Sequence, residues 1–392
     1  MVTMQEPKKA ETSIENLRKE AITFYDTLLP EWASGKSWKH PIEEILNEYD
    51  KSHPGLSVWE LKAAQYEIIA ENFIPHLFNN APFYFASNIG LRDGTPNLNA
   101  GGWLFKRNQH IYRDANNEIF DKFYAQMRKK IHLCCGPYVD TMHYTYPLIN
   151  VVRKGLKGIY EEATTALPLC QNDDEKGFIR AAMRGLLAAK RISECFAEQA
   201  EERLENITDP IQRGNMKLVS RAAKVSPWEK PQHFFEGLNT LWFCREICGF
   251  IEGIGNSHLG RPDYALGEIY RKDIESGYIT EDEAYEFVKM FIVLGDSHYD
   301  KDSKVIGYSE HELEMGFVLG GCDEKGEPVW NDVTRMFLRA HRELGAIYPK
   351  LHLRYSAESP KEYLEEISRD FLAGRSVAGL INDDSVIPAL VN

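Results

Sequence analysis

Apolar residues recur every three or four positions over most of residues 13–250, which is the spacing of helices with one buried face. Ser57 and Glu60 have the spacing of a capping box at the start of one such segment. Residues 232–250 are apolar on nearly all sides, so we expect that helix to be buried. The first helical stretch, Ser13–Asp50, is interrupted at Pro30, Gly35 and Pro41. The other predicted helices are Ser57–Ile74, Phe120–Ile131, Pro147–Ala166, Asp173–Asn206 and Gln232–Phe250.

The last third alternates short apolar runs with helical segments. The runs predict strands over Met315–Gly321, Leu351–Tyr355 and Val377–Ile381. The helical segments are Asp263–Leu294 with a break at Gly277, Asp332–Leu344 and Lys361–Leu372. Strands that alternate with helices lie parallel to one another, and polar residues just after them meet at the carboxyl edge of the sheet. In the second strand, His352 and Arg354 are predicted to share one face.

These patterns predict an α/β fold in three regions. They are a frayed N-terminus over residues 1–12, a mainly helical region over 13–230 and a βα region over 231–392. Residues 75–118 are rich in Asn, Gly, Pro and aromatic residues and are predicted to form a long ordered loop.

Charge and composition exclude several classes of protein. The 392 residues carry a formal net charge of −13, which leaves no basic face for nucleic acid or an anionic membrane. The apolar runs are shorter than the ~20 residues of a membrane span, and the N-terminus lacks the apolar core of a secretory signal. Seven cysteines without paired spacing suit reduced thiols, so we predict a cytoplasmic location.

Motifs of the commonest catalytic chemistries are missing from the sequence. It has no phosphate-binding loop and no GxSxG elbow, and 253–255 is too short a fragment of the dinucleotide fingerprint. Cys244 and Cys248 share one face of an apolar helix and are interpreted as core thiols. A metal site stays a weaker hypothesis, built on His132, His143, His298 and His311.

Six polar residues lie at the ends of predicted elements and are the candidate functional residues: His143, Asn256, Ser257, His258, Asn382 and Asp383. Each has a structural alternative. His143 is otherwise a capping or packing group, the 256–258 segment a capped turn, and the 382–383 pair an Asx-turn. His352 and Arg354 belong either to a solvated strand face or to a salt bridge.

Five stretches in a fixed order resemble the glycyl radical enzymes of the pyruvate formate-lyase superfamily. They span roughly residues 140–392, and the N-terminal 130 residues match less well. The stretches are HYTYPLINVVRKGLKGIYEEA, NSHLGRPDYALGEIYRKDIESGYITEDEA, FVLGGCDEKGEPVWNDVTRMFLRAHREL, IYPKLHLRYSAESPKEYL and GLINDDSVIPALV.

The resemblance implies a helical N-terminal region followed by half of a ten-stranded α/β barrel. In that family a cysteine loop and a glycine loop meet inside the barrel, and a radical-SAM activating enzyme installs the glycyl radical. None of the seven cysteines takes the cysteine-loop position, and no RVAGY-like glycine loop is present. We therefore expect no catalytic residue and no bound cofactor in this chain, and a need for a C-terminal half or second subunit.

The resemblance also suggests roles for individual residues. His143 matches a substrate-contacting histidine of the dehydratase branch, and the 382–383 pair is placed to position the cysteine loop. The histidine–serine pair of glycerol-type dehydratases is missing near Gly255 and Asn256, which disfavours that subclass.

The implied function is substrate binding within a lyase, dehydratase, decarboxylase or formate acyltransferase that acts on a small polar metabolite. The complete enzyme is expected to be a homo-oligomer, and this chain alone is expected to be inactive. The competing interpretation is a degenerate, non-catalytic subunit that binds a ligand or a partner.

If His143 contacts substrate, His143→Ala should weaken ligand binding in the reconstituted enzyme and leave the melting temperature nearly unchanged. Calorimetric binding and thermal unfolding measure the two effects. A lower melting temperature with intact binding would instead identify His143 as a packing group.

Overall fold

The computed structural model describes residues 7–24, 39–84, 104, 107–108, 110–111, 117–129, 146–252, 258–297, 316–375 and 377–391. Within these residues the chain is mostly helical, with one small parallel sheet near the C-terminus. The α/β class and the strand–helix alternation predicted for the last third are confirmed.

Ten α-helices with defined bounds precede the sheet in the described part of the chain. The first begins at Pro7, six residues before the predicted start at Ser13. The helices are α1 (Pro7–Thr23), α2 (Ile42–Ser52), α3 (Val58–Asn72), α4 (Asn117–Arg128), α5 (Leu148–Ala166), α6 (Asp173–Leu204), α7 (Pro210–Val225), α8 (Phe234–Glu252), α9 (Pro262–Glu275) and α10 (Glu281–Ser297).

The sheet and its helices follow. The elements are β1 (Gly316–Gly320), α11 (Asp332–Glu343), β2 (Lys350–Tyr355), α12 (Lys361–Leu372), β3 (Ala378–Asn382) and α13 (Asp383–Val391). The strands lie in the order β1-β2-β3, and both neighbouring pairs are parallel.

Local sequence signals explain where several helices begin. Ser57 and Glu60 form the capping box predicted for α3, and Thr280 and Glu283 exchange the equivalent bonds at the start of α10. Helix α7 lies in a stretch for which we predicted no element. Its start is marked by Asp209, whose carboxylate accepts the N–H groups of Ile211 and Gln212.

Helix α8 lies at the centre of the core, as its apolar sequence predicts. Phe234, Leu238, Leu241 and Trp242 have no exposed surface. Helices α3, α5, α9 and α10 pack around it. Helix α8 is apolar on several sides because other helices cover it on several sides. Its contact with α9 anchors that helix to the core.

Helix α5 is broken at Gly155, where φ is +70° and ψ is 169°. The segment around Trp228 enters the break, since the N–H groups of Leu156 and Lys157 donate to the carbonyl oxygens of Pro227 and Trp228 at 2.8 and 2.9 Å. A Cβ built at Gly155 would lie 2.7 Å from the Glu229 carbonyl carbon. Only glycine fits this position, because a side chain meets both a forbidden backbone angle and backbone atoms.

Gly155→Ala should therefore lower the free energy of unfolding by about 3 kcal/mol or more, through backbone strain and the clash. The matched control is Gly214→Ala in α7, where a built Cβ meets nothing within 4 Å. We expect that control to be neutral or stabilising by up to ~1 kcal/mol. Urea unfolding of both variants measures the difference, and equal effects would contradict the argument.

Candidate functional site

The sheet has one apolar face and one polar face. Phe317, Leu351 and Leu353 are buried on the apolar face, where the Phe317 ring meets the Phe337 ring of α11 with centroids 4.9 Å apart. The register pairs Val318 with His352, so both lie on the opposite, polar face. His352 and Arg354 thus share one strand face, as predicted.

An ion pair lies at the carboxyl end of the polar face. The Arg354 Nε–H donates to Asp383 Oδ1 at 2.8 Å, and both side chains are largely buried. Asp383 itself is 4 % exposed, yet its Oδ2 has no hydrogen-bond partner within the described residues. A buried carboxylate oxygen without a donor is costly, so Oδ2 remains available as an acceptor for a further group.

Gly321 makes room for this ion pair. It has φ of +74°, and a Cβ built there would lie 2.8 Å from both Asp383 Oδ2 and the Arg354 Cβ. A glycine is required because the backbone angle and the space each exclude a side chain.

The turn after β1 is held by Arg261 and Asp263, which lie beside the start of α9. The Arg261 guanidinium donates to the carbonyl oxygens of Gly320 and Cys322 at 2.8 and 3.0 Å. The Asp263 carboxylate accepts the Gly320 N–H at 2.7 Å and the Thr334 hydroxyl at 3.1 Å. The motif GRPD thereby fixes the geometry of the sheet's carboxyl edge.

Burial dominates the electrostatics of this turn. It raises the pKa of Asp263 to about 7, against the opposing effects of the Gly320 N–H and the Arg261 charge. Burial also lowers the pKa of Arg261, and the nearby charge of Arg354 adds to that effect.

Asn382 has a structural role beside this ion pair. Its Oδ1 accepts the Asp384 N–H at 3.0 Å, which closes an Asx-turn at the start of α13. The Asp384 carboxylate accepts the Ala357 N–H at 2.8 Å and ties the loop after β2 to α13. The Asx-turn considered for the pair therefore belongs to Asn382, and Asp383 makes a different contact.

A second polar group lies at the start of β1. The N–H of Leu259 donates to Gly316 O and the N–H of Val318 donates to Gly260 O, each at 2.8 Å, so the 259–260 segment lies along the edge of β1. This contact brings His258 beside His352, with ring centroids 5.2 Å apart and ring planes at 70°. Burial and the charge of Lys350 lower the pKa of His352, so its imidazole is neutral at pH 7.

The predicted site residues fall into three sets. His143, Asn256 and Ser257 lie outside the described residues, as do His132, His298 and His311 of the metal hypothesis. His258 lies at the start of β1 and Asp383 at its end, so the length of that strand separates them by roughly 15 Å. In the part of the chain that the structure covers, no three His, Cys, Asp or Glu side chains group as metal ligands.

Two residues on the polar face of the sheet, His352 and Arg354, were missing from the predicted site. His352 contacts His258, and Arg354 pairs with Asp383. Alternation in LHLRY placed both on one strand face, but no sequence signal identified their partners.

Cys244 is buried as a core thiol, as predicted. No helix within the described ranges has the length and apolar character to cross a membrane.

Comparison with known proteins identifies related sequences. The pyruvate formate lyase-like family model matches residues 109–392. The isethionate sulfite-lyase of Oleidesulfovibrio alaskensis is 26% identical over 267 residues, which are 64% of this chain and 32% of that enzyme. The chain therefore spans about a third of the length of this relative.

Solved structures share the fold. A Roseburia inulinivorans structure described for 1,2-propanediol dehydration superposes with a TM-score of 0.75 at 19% identity, over 99% of this chain and 49% of that one. A glycyl radical enzyme from Archaeoglobus fulgidus gives 0.74 at 16% identity, over 97% and 52%. These likenesses support the predicted partial α/β barrel.

The raised pKa of Asp263 predicts a pH-dependent stability. Between pH 4 and 7 the folded chain keeps a proton that the unfolded chain, with an ordinary aspartate, has already lost. The contribution of Asp263 to stability should therefore fall by about 4 kcal/mol as the pH rises through this range. Asp263→Asn removes the titration, so its stability relative to the parent chain should rise with pH. Urea unfolding of both proteins at several pH values tests this. If the free energies of unfolding of the variant and the parent chain change with pH in parallel, the prediction is contradicted.

Proposed function

The chain belongs to the pyruvate formate lyase-like family, and we propose that it is the substrate-binding portion of a glycyl radical lyase or dehydratase. The substrate is a small polar metabolite. The relative described above acts on isethionate, and the Roseburia structure concerns 1,2-propanediol. Both names support a small hydroxylated substrate for this chain.

The observation that carries the proposal is the open edge of the sheet. Among the described strands β3 pairs only with β2, so its outer edge has no strand partner within the described residues. Leu380 on this strand is 50% exposed. An exposed apolar edge strand is a site for pairing with further polypeptide.

Helix α13 carries further exposed apolar residues. Its apolar residues recur one and four positions apart and so form one stripe along the helix. Their exposed fractions are 40% for Val386, 37% for Ile387 and 80% for both Leu390 and Val391. We call Leu380 together with this stripe the open apolar edge. Such a surface favours cover by another element, because apolar area in water is unfavourable.

We propose that the missing barrel half covers the open apolar edge and brings the radical residues. In the complete enzyme, a glycyl radical installed by a radical-SAM activating enzyme would supply the radical with which the cysteine loop abstracts hydrogen. This chain's contribution is to bind and orient the substrate through the polar face and through His143, Asn256, Ser257 and His258. Asp383 Oδ2 would accept a hydrogen bond from the incoming cysteine loop. A cytoplasmic, homo-oligomeric enzyme follows from the same proposal.

The test is a search for an in-frame continuation or an adjacent reading frame that carries GC-x-E and RVAGY-like motifs, followed by co-expression of that polypeptide with this chain. We expect the two polypeptides to copurify in equal amounts. Leu380→Asp and Leu390→Asp should each weaken the complex at least tenfold, because each places a charge in an apolar contact. Leu169→Asp is the matched control, since Leu169 is 70% exposed on the helical region.

Three outcomes would contradict the proposal. The first is the absence of such a reading frame. The second is a complex whose affinity is unchanged by Leu380→Asp and Leu390→Asp, and the third is a soluble monomer that binds no apolar dye. The last outcome would favour a non-catalytic subunit.

A further inference from the structure

A buried glutamine on α3 holds the C-terminal end of α8. Gln65 has no exposed surface, although core positions ordinarily carry apolar side chains. Its Nε2–H donates to the carbonyl oxygen of Ile251 at 2.7 Å. The last carbonyl oxygens of a helix have no partner inside the helix, so this bond satisfies one of the groups that α8 leaves open where it ends at Glu252.

The orientation of the Gln65 amide is fixed by a second contact. Gln65 Oε1 accepts the Nη1–H of Arg107 at 2.7 Å. The Arg107 guanidinium is held in turn by Asp50 on α2, because its Nε and Nη2 donate to the two carboxylate oxygens at 2.8 and 2.6 Å. A guanidinium only donates and a carbonyl oxygen only accepts, so exchanging the nitrogen and oxygen of the amide would break both of its contacts. These bonds therefore define one orientation of the Gln65 side chain.

The carbonyl that Gln65 binds lies close in sequence to three of the predicted site residues. Six residues connect Ile251 to His258, and the candidates Asn256 and Ser257 are among them. The segment after His258 is hydrogen-bonded along the edge of β1. Described hydrogen bonds thus hold the chain on both sides of this connection, and the Gln65 bond is on the α8 side.

We propose that Gln65 is a positioning residue, which sets through the end of α8 where the connection with Asn256 and Ser257 begins. The proposal rests on the function proposed above, which gives these two residues their role in substrate binding. It adds that a buried polar relay in the helical region, formed by Asp50, Arg107 and Gln65, controls this part of the site. Gln65 acts through the Ile251 carbonyl and not by contact with the substrate.

Hydrogen–deuterium exchange of the full chain, detected by mass spectrometry of its peptides, measures this positioning. Peptides over residues 248–260 report on the end of α8 and on the connection. Peptides from α2 and from the first turns of α8 report on the rest of the fold, and urea unfolding gives the global stability of each variant. These measurements need neither a substrate nor the second barrel half.

Gln65→Glu separates the two contacts of the amide. A carboxylate still accepts from Arg107, but it has no N–H for the Ile251 carbonyl oxygen. We expect exchange over residues 248–260 to be about tenfold faster than in the parent chain, which is the usual effect of losing one buried hydrogen bond. Gln65→Met has a similar size without a charge and loses both contacts, so it should accelerate the same peptides by about the same factor.

Two further variants complete the experiment. Arg107→Lys keeps the positive charge but cannot bind both oxygens of Asp50 and the Gln65 amide together. It should accelerate exchange over residues 248–260 by a smaller factor than Gln65→Met, because the amide keeps its bond to the α8 carbonyl with less restraint. Gln212→Glu on α7 is the matched control, since the Gln212 amide donates to the Asn80 side chain at 3.4 Å. We expect this control to exchange as the parent chain does over residues 248–260.

The proposal is overturned if either Gln65 variant exchanges like the parent chain over residues 248–260. It is also overturned if exchange rises by one common factor in every peptide, because Gln65 would then be an ordinary core residue. Copurification with the second barrel half is measured independently. Failure to assemble therefore counts against the proposed function alone, and unchanged exchange counts against this inference alone.

Discussion

The buried carboxylate of Asp263 is the contact on which the sheet's carboxyl edge depends. It receives the Gly320 N–H and the Thr334 hydroxyl, so it joins the start of α9, the end of β1 and the first turn of α11. Burying an ionisable group is unfavourable, and these donors offset part of the cost. Arg261 beside it binds two carbonyl oxygens of the same turn. The direction in which the chain leaves β1 is therefore fixed by side chains from one short motif.

Burial is distributed unequally between the two ends of the chain. The apolar core runs continuously from α1 to α12 and includes β1 and β2, whereas α13 buries only Asp383. Local stability follows buried contacts, so β3 and α13 belong to the least stable part of the βα region. Contact with further polypeptide would add burial where the chain has least of it. Asp383, which lies at the junction of β3 and α13, is the buried contact that ties this part of the chain to β2 through Arg354.

Sequence periodicity predicted the long helices and the strands because their signals are local. The 350–355 alternation depends only on neighbouring residues, and it correctly separated His352 from Leu351. Helix α13 was predicted only as a turn, since Pro388 lies inside it and its apolar stripe is short. The approach of His258 to His352 joins positions 94 residues apart and is set by how the 259–260 segment packs on β1. Periodicity along the chain cannot predict such a long-range contact. The family resemblance could be found from the sequence because it depends only on the order of short motifs.

Glycines in and just after β1 explain how one short strand serves two polar groups. Gly316 leaves space that the two imidazoles approach, and Gly321 leaves space for Arg354 and Asp383. Between them Val318 is the strand's one side chain larger than hydrogen on the polar face. Side chains from neighbouring elements therefore supply the chemistry, while β1 supplies room and a rigid main chain. At the end of the strand the positive charge of Arg354 is matched by Asp383.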